Sequence, residues 1–266
     1  IRLQGNCSNS VVSNTSIKSV TAKTNASGIL IQSSENQNSY SQGIRILRCK
    51  ISHITPVIDG DGIKILQNHK IANHLIQDCD FIDCAKRAIK IQGLGVKCVD
   101  NYVSGGCTES VIDYQNGDCH INGLKAENLG YVYAGLYVQG SEGSISIKNV
   151  DIQAENIEKK YVKGIKIKRA EWDGNNQINA IEIMNCRISD FYQTLYIEGF
   201  DKIEEVRVKG CTFSSVTHPI FINSQVEKIE VFRSKDKNLG GNRSSLYFPS
   251  IDMCKKTRIN IKEERE

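Results

Sequence analysis

One eight-residue pattern recurs along the chain and narrows what it can become. Ile181-Glu182-Ile183-Met184-Asn185-Cys186-Arg187-Ile188 is written again as Val206-Arg207-Val208-Lys209-Gly210-Cys211-Thr212-Phe213 and as Ile44-Arg45-Ile46-Leu47-Arg48-Cys49-Lys50-Ile51. Looser copies lie at His74 to Phe81, Val96 to Val103, Cys119 to Ala126 and Ile145 to Ile152. The shared form is apolar, any, apolar, any, turn-type residue, small apolar, any, apolar. Alternation at period two predicts a strand, and the fifth place (Arg48, Asp78, Asp100, Gly123, Asn149, Asn185, Gly210) suits a bend. The sixth place forms a column of Cys49, Cys79, Asn101, Leu124, Val150, Cys186 and Cys211, whose successive members are 30, 22, 23, 26, 36 and 25 residues apart. A supersecondary unit recurring every ~20–50 residues is the mark of a solenoid.

A second strand precedes each copy, of the form Gly-Ile-x-Ile. It begins at Gly28, Gly62, Ala88, Val111, Gly135, Gly164, Thr194 and Pro219. A short third apolar contact follows at Ile54, Cys84, Leu129, Phe191 and Val216. Strands this close, with no helical stretch and few hairpin signals, predict stacking in parallel at ~4.8 Å, like residue over like. On these two strand motifs the chain resembles the right-handed parallel β-helix proteins of the pectate-lyase-like superfamily, over roughly residues 28 to 231. The expected architecture is all-β, a right-handed single-stranded parallel β-helix of about eight rungs. An entry or capping segment at 1–27 precedes it, and a cap with a charged tail at 232–266 follows. Ile1 opens the sequence with neither an initiating Met nor a signal peptide, which reads as a fragment or a processed chain.

Of the ten cysteines, Cys49, Cys79, Cys186 and Cys211 share one inward column, and Cys98, Cys119 and Cys84 fall in other apolar columns, so they read as stacked core thiols that fold in a reducing cytoplasm. Zinc spacing is missing: Cys79 and Cys84 come nearest, without histidines. Asp59-Gly60-Asp61-Gly62 has the flavour of a calcium loop but lacks its remaining ligands. No cofactor or metal is therefore expected. No apolar run approaches the ~18 residues of a membrane span. The net charge of +4 lacks the dense basic stripe of a nucleic-acid binder.

Chemistry is expected on the outward columns. The centre of the Gly-Ile-x-Ile sheet reads Leu30, Lys64, Lys90, Asp113, Tyr137, Lys166, Tyr196, Phe221, and two places on come Gln32, Leu66, Gln92, Gln115, Gln139, Lys168, Glu198, Asn223. Rings, amides and cations in two lines suit an extended sugar chain, and a solvated sheet kept soluble by charge is the plain alternative. Glycoside hydrolysis needs two carboxyls ~5–9.5 Å apart, and Asp113, Glu109 and Asp61 are the candidates. Asp113 reads equally well as a ladder partner of Lys90. A lyase would instead draw its base from Arg87, Lys90 or Tyr137. Expected substrate contacts are Lys64, Arg87, Lys90, Tyr137, Lys166, Tyr196 and Trp172, the last on the Lys168 to Ala180 insertion.

The resemblance implies more. The chain looks most like the central part of a bacteriophage tailspike or capsule depolymerase: a virion or extracellular homotrimer acting on a bacterial or other acidic polysaccharide. A secreted lyase and a non-catalytic carbohydrate-binding β-helix are the alternatives. The Asp-Asp pair and Gly-His-Gly of polygalacturonases and the Asp-Pro-His-Asp of alginate epimerases are absent. Lys166-Ile167-Lys168 lacks the arginine of the polygalacturonase Arg-Ile-Lys.

Overall fold

A computed structural model describes the chain except for residues 37, 57, 116, 131, 141, 155–161, 171–176, 216–218, 234–245, 248–256 and 264–266. The described residues contain strands and no helix. They wind into a parallel β-solenoid of about eight turns. Every strand pairing is parallel. The first sheet has ten strands and collects the Gly-Ile-x-Ile segments; the second has fifteen and collects the rest. The outward column stacks as Leu30, Lys64, Lys90, Asp113, Tyr137, Lys166, Tyr196 and Phe221, each paired with the next. Ile29, Ile63, Ile89, Ile112, Leu136, Ile165 and Leu195 face inward and are fully buried.

The bend column is a line of left-handed backbone. Positive φ runs from 49° at Asn14 through Arg48, Asp78, Asp100, Gly123, Asn149 and Asn185 to Gly210, reaching 73° at Gly123. Asn, Asp and Gly tolerate this region and most other residues do not. Arg48 is the exception, and its Nε donates to Asn14 Oδ1 at 3.0 Å. At Gly123 and Gly210 a Cβ would lie 1.9 Å from Asp100 Oδ1 and 2.4 Å from Asn185 Oδ1, so those side chains would have to turn aside.

That bend interrupts the ladder, and the cysteine column repairs it. The Cys49 amide donates to Cys79 Sγ at 3.5 Å, and the Cys79 thiol reaches the Ile46 carbonyl at 3.7 Å. Cys211 repeats the pattern, accepting from the Cys186 amide at 3.5 Å and donating to the Ile183 carbonyl at 3.4 Å. One thiol thus meets both a stranded N–H and a stranded C=O, so these cysteines do more than fill space. Asn101 fits the column for the same reason, accepting from the Cys79 amide and donating to the Ile76 carbonyl, both at 3.1 Å. Burial pushes the thiols of Cys79, Cys84 and Cys98 up to about 12.

The glycine of Gly-Ile-x-Ile has a packing cause. At Gly62 a Cβ would meet Phe81 at 2.6 Å, and at Gly164 it would meet Ile188 at 2.4 Å. An inward side chain of the second sheet occupies that space. Two other expectations change. Asp59-Gly60-Asp61-Gly62 opens the strand Asp59–Ile71 and is not a loop. Pairing also extends past residues 28–231 in both directions. Arg2–Gln4, Val11–Ser13 and Ser16–Ala22 each pair with the next turn, and Arg258–Glu263 pairs with Val226–Arg233.

Asn101→Leu leaves a buried N–H and a buried C=O without partners, so a loss of about 2–4 kcal/mol in urea unfolding is expected. Asn101→Cys, which restores the neighbouring pattern, should lose about 1 kcal/mol or less. Equal losses in the two variants would refute the repair role of the column.

Candidate functional site

The outer face of the first sheet carries two groups of sheltered polar residues. The residue just before each Gly-Ile-x-Ile unit also stacks in register, as Asp61, Arg87, Ser110, Ala134, Lys163 and Gln193. Its long members reach over the face and join the outward column. Arg87 is the hub of the first group. Its guanidinium lies 2.8 Å from Asp59 Oδ1, 3.0 Å from Asp61 Oδ1, 2.5 Å from Glu109 Oε1 and 3.2 Å from Asp113 Oδ2. The last contact is an ion pair off the hydrogen-bonding line, which leaves Arg87 Nε without a hydrogen-bond partner among the described residues. Lys64 adds a second cation, 2.7 Å from Asp59 Oδ2 and 3.4 Å from Asp61 Oδ2.

Amides close the group from the other side. Gln92 donates to Gln115 Oε1 at 2.5 Å, and Gln115 in turn donates to Asp113 Oδ2 at 2.9 Å. Gln139 donates to Asp113 Oδ1 at 3.2 Å. The ion-pair partner of Asp113 is therefore Arg87; Lys90, paired with it in register, acts only at longer range.

Environment separates the four carboxyls. Burial raises Asp61, with Arg87 opposing, and burial raises Asp113 against Arg87 and Lys90. At Asp59 burial is outweighed by hydrogen bonds from Lys64 and Arg87, which hold the group at about 2. Burial also works against the charge on Arg87, but Asp61, Asp113 and Glu109 outweigh it and fix the guanidinium as a cation. Asp61 and Asp113 have 0% and 1% of their side chains exposed, against 20% for Asp59 and 35% for Glu109.

The second group lies further along the solenoid. Lys166 donates to Tyr133 Oη at 2.8 Å and pairs with Glu198 at 3.3 Å. Its ammonium stands 5.1, 5.4 and 5.8 Å from the ring centres of Tyr133, Tyr137 and Tyr196, within cation–π range. Tyr196 donates to Glu198 Oε2 at 2.9 Å. Its ring stacks on Phe221 at 4.8 Å and 6°. Rings expected to offer their faces to a sugar thus turn those faces toward Lys166 and each other.

The outer face of the second sheet behaves differently. Its ladder joins Lys148 to Glu182, Arg207 to Glu182, Glu205 and Glu230, and Lys228 to Glu205. There the cations are open to water, with Arg207 34% and Lys148 38% exposed, where Arg87 is 7% and Lys166 10%. Solvated surface ladders contribute little each. Desolvated charges with fixed partners are the ones that gather at functional sites.

The structure brings Asp61, Glu109, Asp113, Arg87 and Lys64 together, and separately gathers Tyr137, Lys166 and Tyr196. Lys90 lies between Lys64 and Asp113 in the column, within the span of the first group, and Trp172 lies outside the described residues. Asp59, Tyr133, Lys163 and Gln193 were not among the expected site residues. Reading the place one residue upstream of each Gly-Ile-x-Ile unit would have found Lys163 and Gln193. Among the described residues no group of three or more His, Cys, Asp or Glu is placed to hold a metal ion. Comparison with protein-family models, with curated proteins and with solved structures finds no match to this chain.

Two pH responses follow, with opposite signs. Asp59 is held below its unfolded value of 3.8, so its contribution is present above that value and fades as pH falls toward about 2. Asp59→Asn should cost about 1–2 kcal/mol at neutral pH, allowing for solvent screening, and almost nothing near pH 2. Arg87→Met strips two enclosed carboxyls of their cation and should cost about 3–5 kcal/mol at neutral pH. Asp61 and Asp113 then favour the protonated form, so that deficit should shrink as pH falls to about 4. Thermal melts of both variants across this range check the two signs.

Proposed function

We propose that the protein recognises an extended polysaccharide along the outer face of the first sheet. The observation that carries this reading is the contrast between the cations of the two sheets: among the described residues Arg87 and Lys166 of the first are sheltered with fixed partners, where Arg207 and Lys148 of the second are open to water. The amide line Gln92, Gln115 and Gln139 matches sugar hydroxyls in chemistry, and Lys90 lies beside it. Successive turns repeat at ~4.8 Å, which favours a linear ligand.

Hydrolysis of the bound chain is the second reading, favoured by the separation of the carboxyls. Asp61 and Asp113 are pushed up while Asp59 is pushed down, the kind of division that lets one carboxyl keep a proton near another that is ionised. Glu109 is the more open member of the group. A lyase reading loses Arg87 as its base, because its carboxylate neighbours keep it protonated, and leaves Lys90 and Tyr137. The setting implied by the resemblance belongs to the same proposal. That setting is a tailspike-like protein of the pectate-lyase-like kind, folded in a reducing cytoplasm and working as a trimer on a virion or outside the cell.

The test is a panel of bacterial capsular and exopolysaccharides, followed for affinity, chain length and unsaturated-uronate absorbance. Binding to at least one polymer is expected, weakened about tenfold by Lys90→Ala or Gln139→Ala, which corresponds to about 1.4 kcal/mol. Shortening without new absorbance, lost in Glu109→Gln and Asp113→Asn, would establish the hydrolase. Shortening with new absorbance would establish the lyase. No binding to any polymer, with the fold intact, would overturn the proposal.

A further inference from the structure

Lys163 opens the strand Lys163–Arg169 and is half-buried. It pairs in register with Ala134 on one side and Gln193 on the other. Its ammonium donates to Gln193 Oε1 and stands 5.3 Å from the Tyr192 ring centre and 4.8 Å from that of Tyr196. Lys166 is its charged neighbour on the same strand. Glu198 is the one carboxylate among the described residues that acts on both lysines, and it is engaged by Lys166 at 3.3 Å and by the Tyr196 hydroxyl at 2.9 Å. Lys163 itself has no ion pair among the described residues.

Two ammonium groups in one sheltered place therefore share one carboxylate. A cation drawn out of water favours its charged form only when something compensates for the lost hydration. Here burial, then repulsion from Lys166, hold Lys163 down at about 8, with Glu198 opposing only weakly. The tyrosines Tyr133, Tyr137, Tyr192 and Tyr196 around the two lysines supply ring faces and hydroxyls but no second negative charge. Among the described residues one carboxylate thus serves two ammonium groups.

We propose that Lys163, Lys166 and the rings of Tyr192 and Tyr196 form an anion subsite, completed by the carboxylate or sulfate of an acidic sugar. The inference rests on the polysaccharide reading of this face and names both the chemical class and the place where the acid is read. A bound anion favours the charged lysine, so binding near pH 8 takes up a proton. Above that pH the affinity falls as Lys163 loses its charge.

The test follows the Lys163 side-chain signal by NMR in the isotope-labelled full chain, assigned with Lys163→Arg. The probes are sodium sulfate against sodium chloride at equal ionic strength, and D-glucuronate against D-glucose. Sulfate and glucuronate should each raise the Lys163 midpoint by about one unit, a roughly tenfold preference for the protonated form. Glucose and chloride should leave it in place. Any acidic polymer that binds should lose affinity between about pH 7 and pH 9 in the native chain, and keep it in Lys163→Arg, whose guanidinium stays charged. An unmoved midpoint in both sulfate and glucuronate overturns the subsite, even if polymers bind elsewhere on the face. A shift with sulfate alone overturns the carboxylate branch and assigns the subsite to a sulfated sugar. A shift with both, and no polymer bound, leaves the anion subsite standing and removes the polysaccharide reading.

Discussion

The whole molecule depends on parallel strands repeating at one fixed spacing along the solenoid axis. That spacing of ~4.8 Å forces each residue to lie over its counterpart in the turn below. Inside, it favours columns of identical branched residues, because isoleucine stacks on isoleucine without a change of rotamer or volume. At the corner it demands a residue that accepts left-handed backbone, turn after turn. The column next to the corner must then supply hydrogen bonds that the bent ladder has lost. Composition, corner and cysteine column are three answers to the same repeat.

Outside, the same rule makes charge a collective matter. Like charges in successive turns would face each other at strand spacing, so a stable face needs alternation or a bridging group. The second sheet alternates Glu182, Arg207 and Glu230 in register. The first sheet gathers carboxyls around Arg87 and rings around Lys166, and shields both. Both groups mix the two signs: Lys64 and Arg87 stand among four carboxyls, and Glu198 stands beside Lys166.

Much of the fold could be read from the residues, and for a physical reason. Period-two apolar alternation, a turn residue and a small residue at set places are local signals, and the solenoid repeats them without long-range rearrangement. Even Arg48, the wrong chemical type for its corner, was recognisable by position. Two further lines of left-handed residues were harder to see. One includes His53, Asp83, Gly105 and Asn128, the other Asn73, Gly95, Asp118 and Gly143. The first precedes the short third contact of Ile54, Cys84 and Leu129, a single apolar place that marks no period-two frame, and the second flanks linkers of uneven length. The register of Asp113 between Lys90 and Tyr137 was legible too, but its burial was not. Burial there comes from Arg87, Gln115 and Gln139 reaching across strands, and side-chain reach has no period in the sequence. Lys163 escaped notice because its column mixes aspartate, arginine, serine, alanine, lysine and glutamine.

The thiol column makes the protein's lifetime depend on how often it opens. A buried, protonated thiol is a poor nucleophile, so cysteines pushed up to about 12 are shielded from oxidants while the turns stay stacked. Once a turn unstacks, its cysteines return to an ordinary thiol range and are open to oxidation beside others released with them. In an oxidising medium each opening is then a chance of permanent loss, and endurance becomes a rate set by the unfolding barrier.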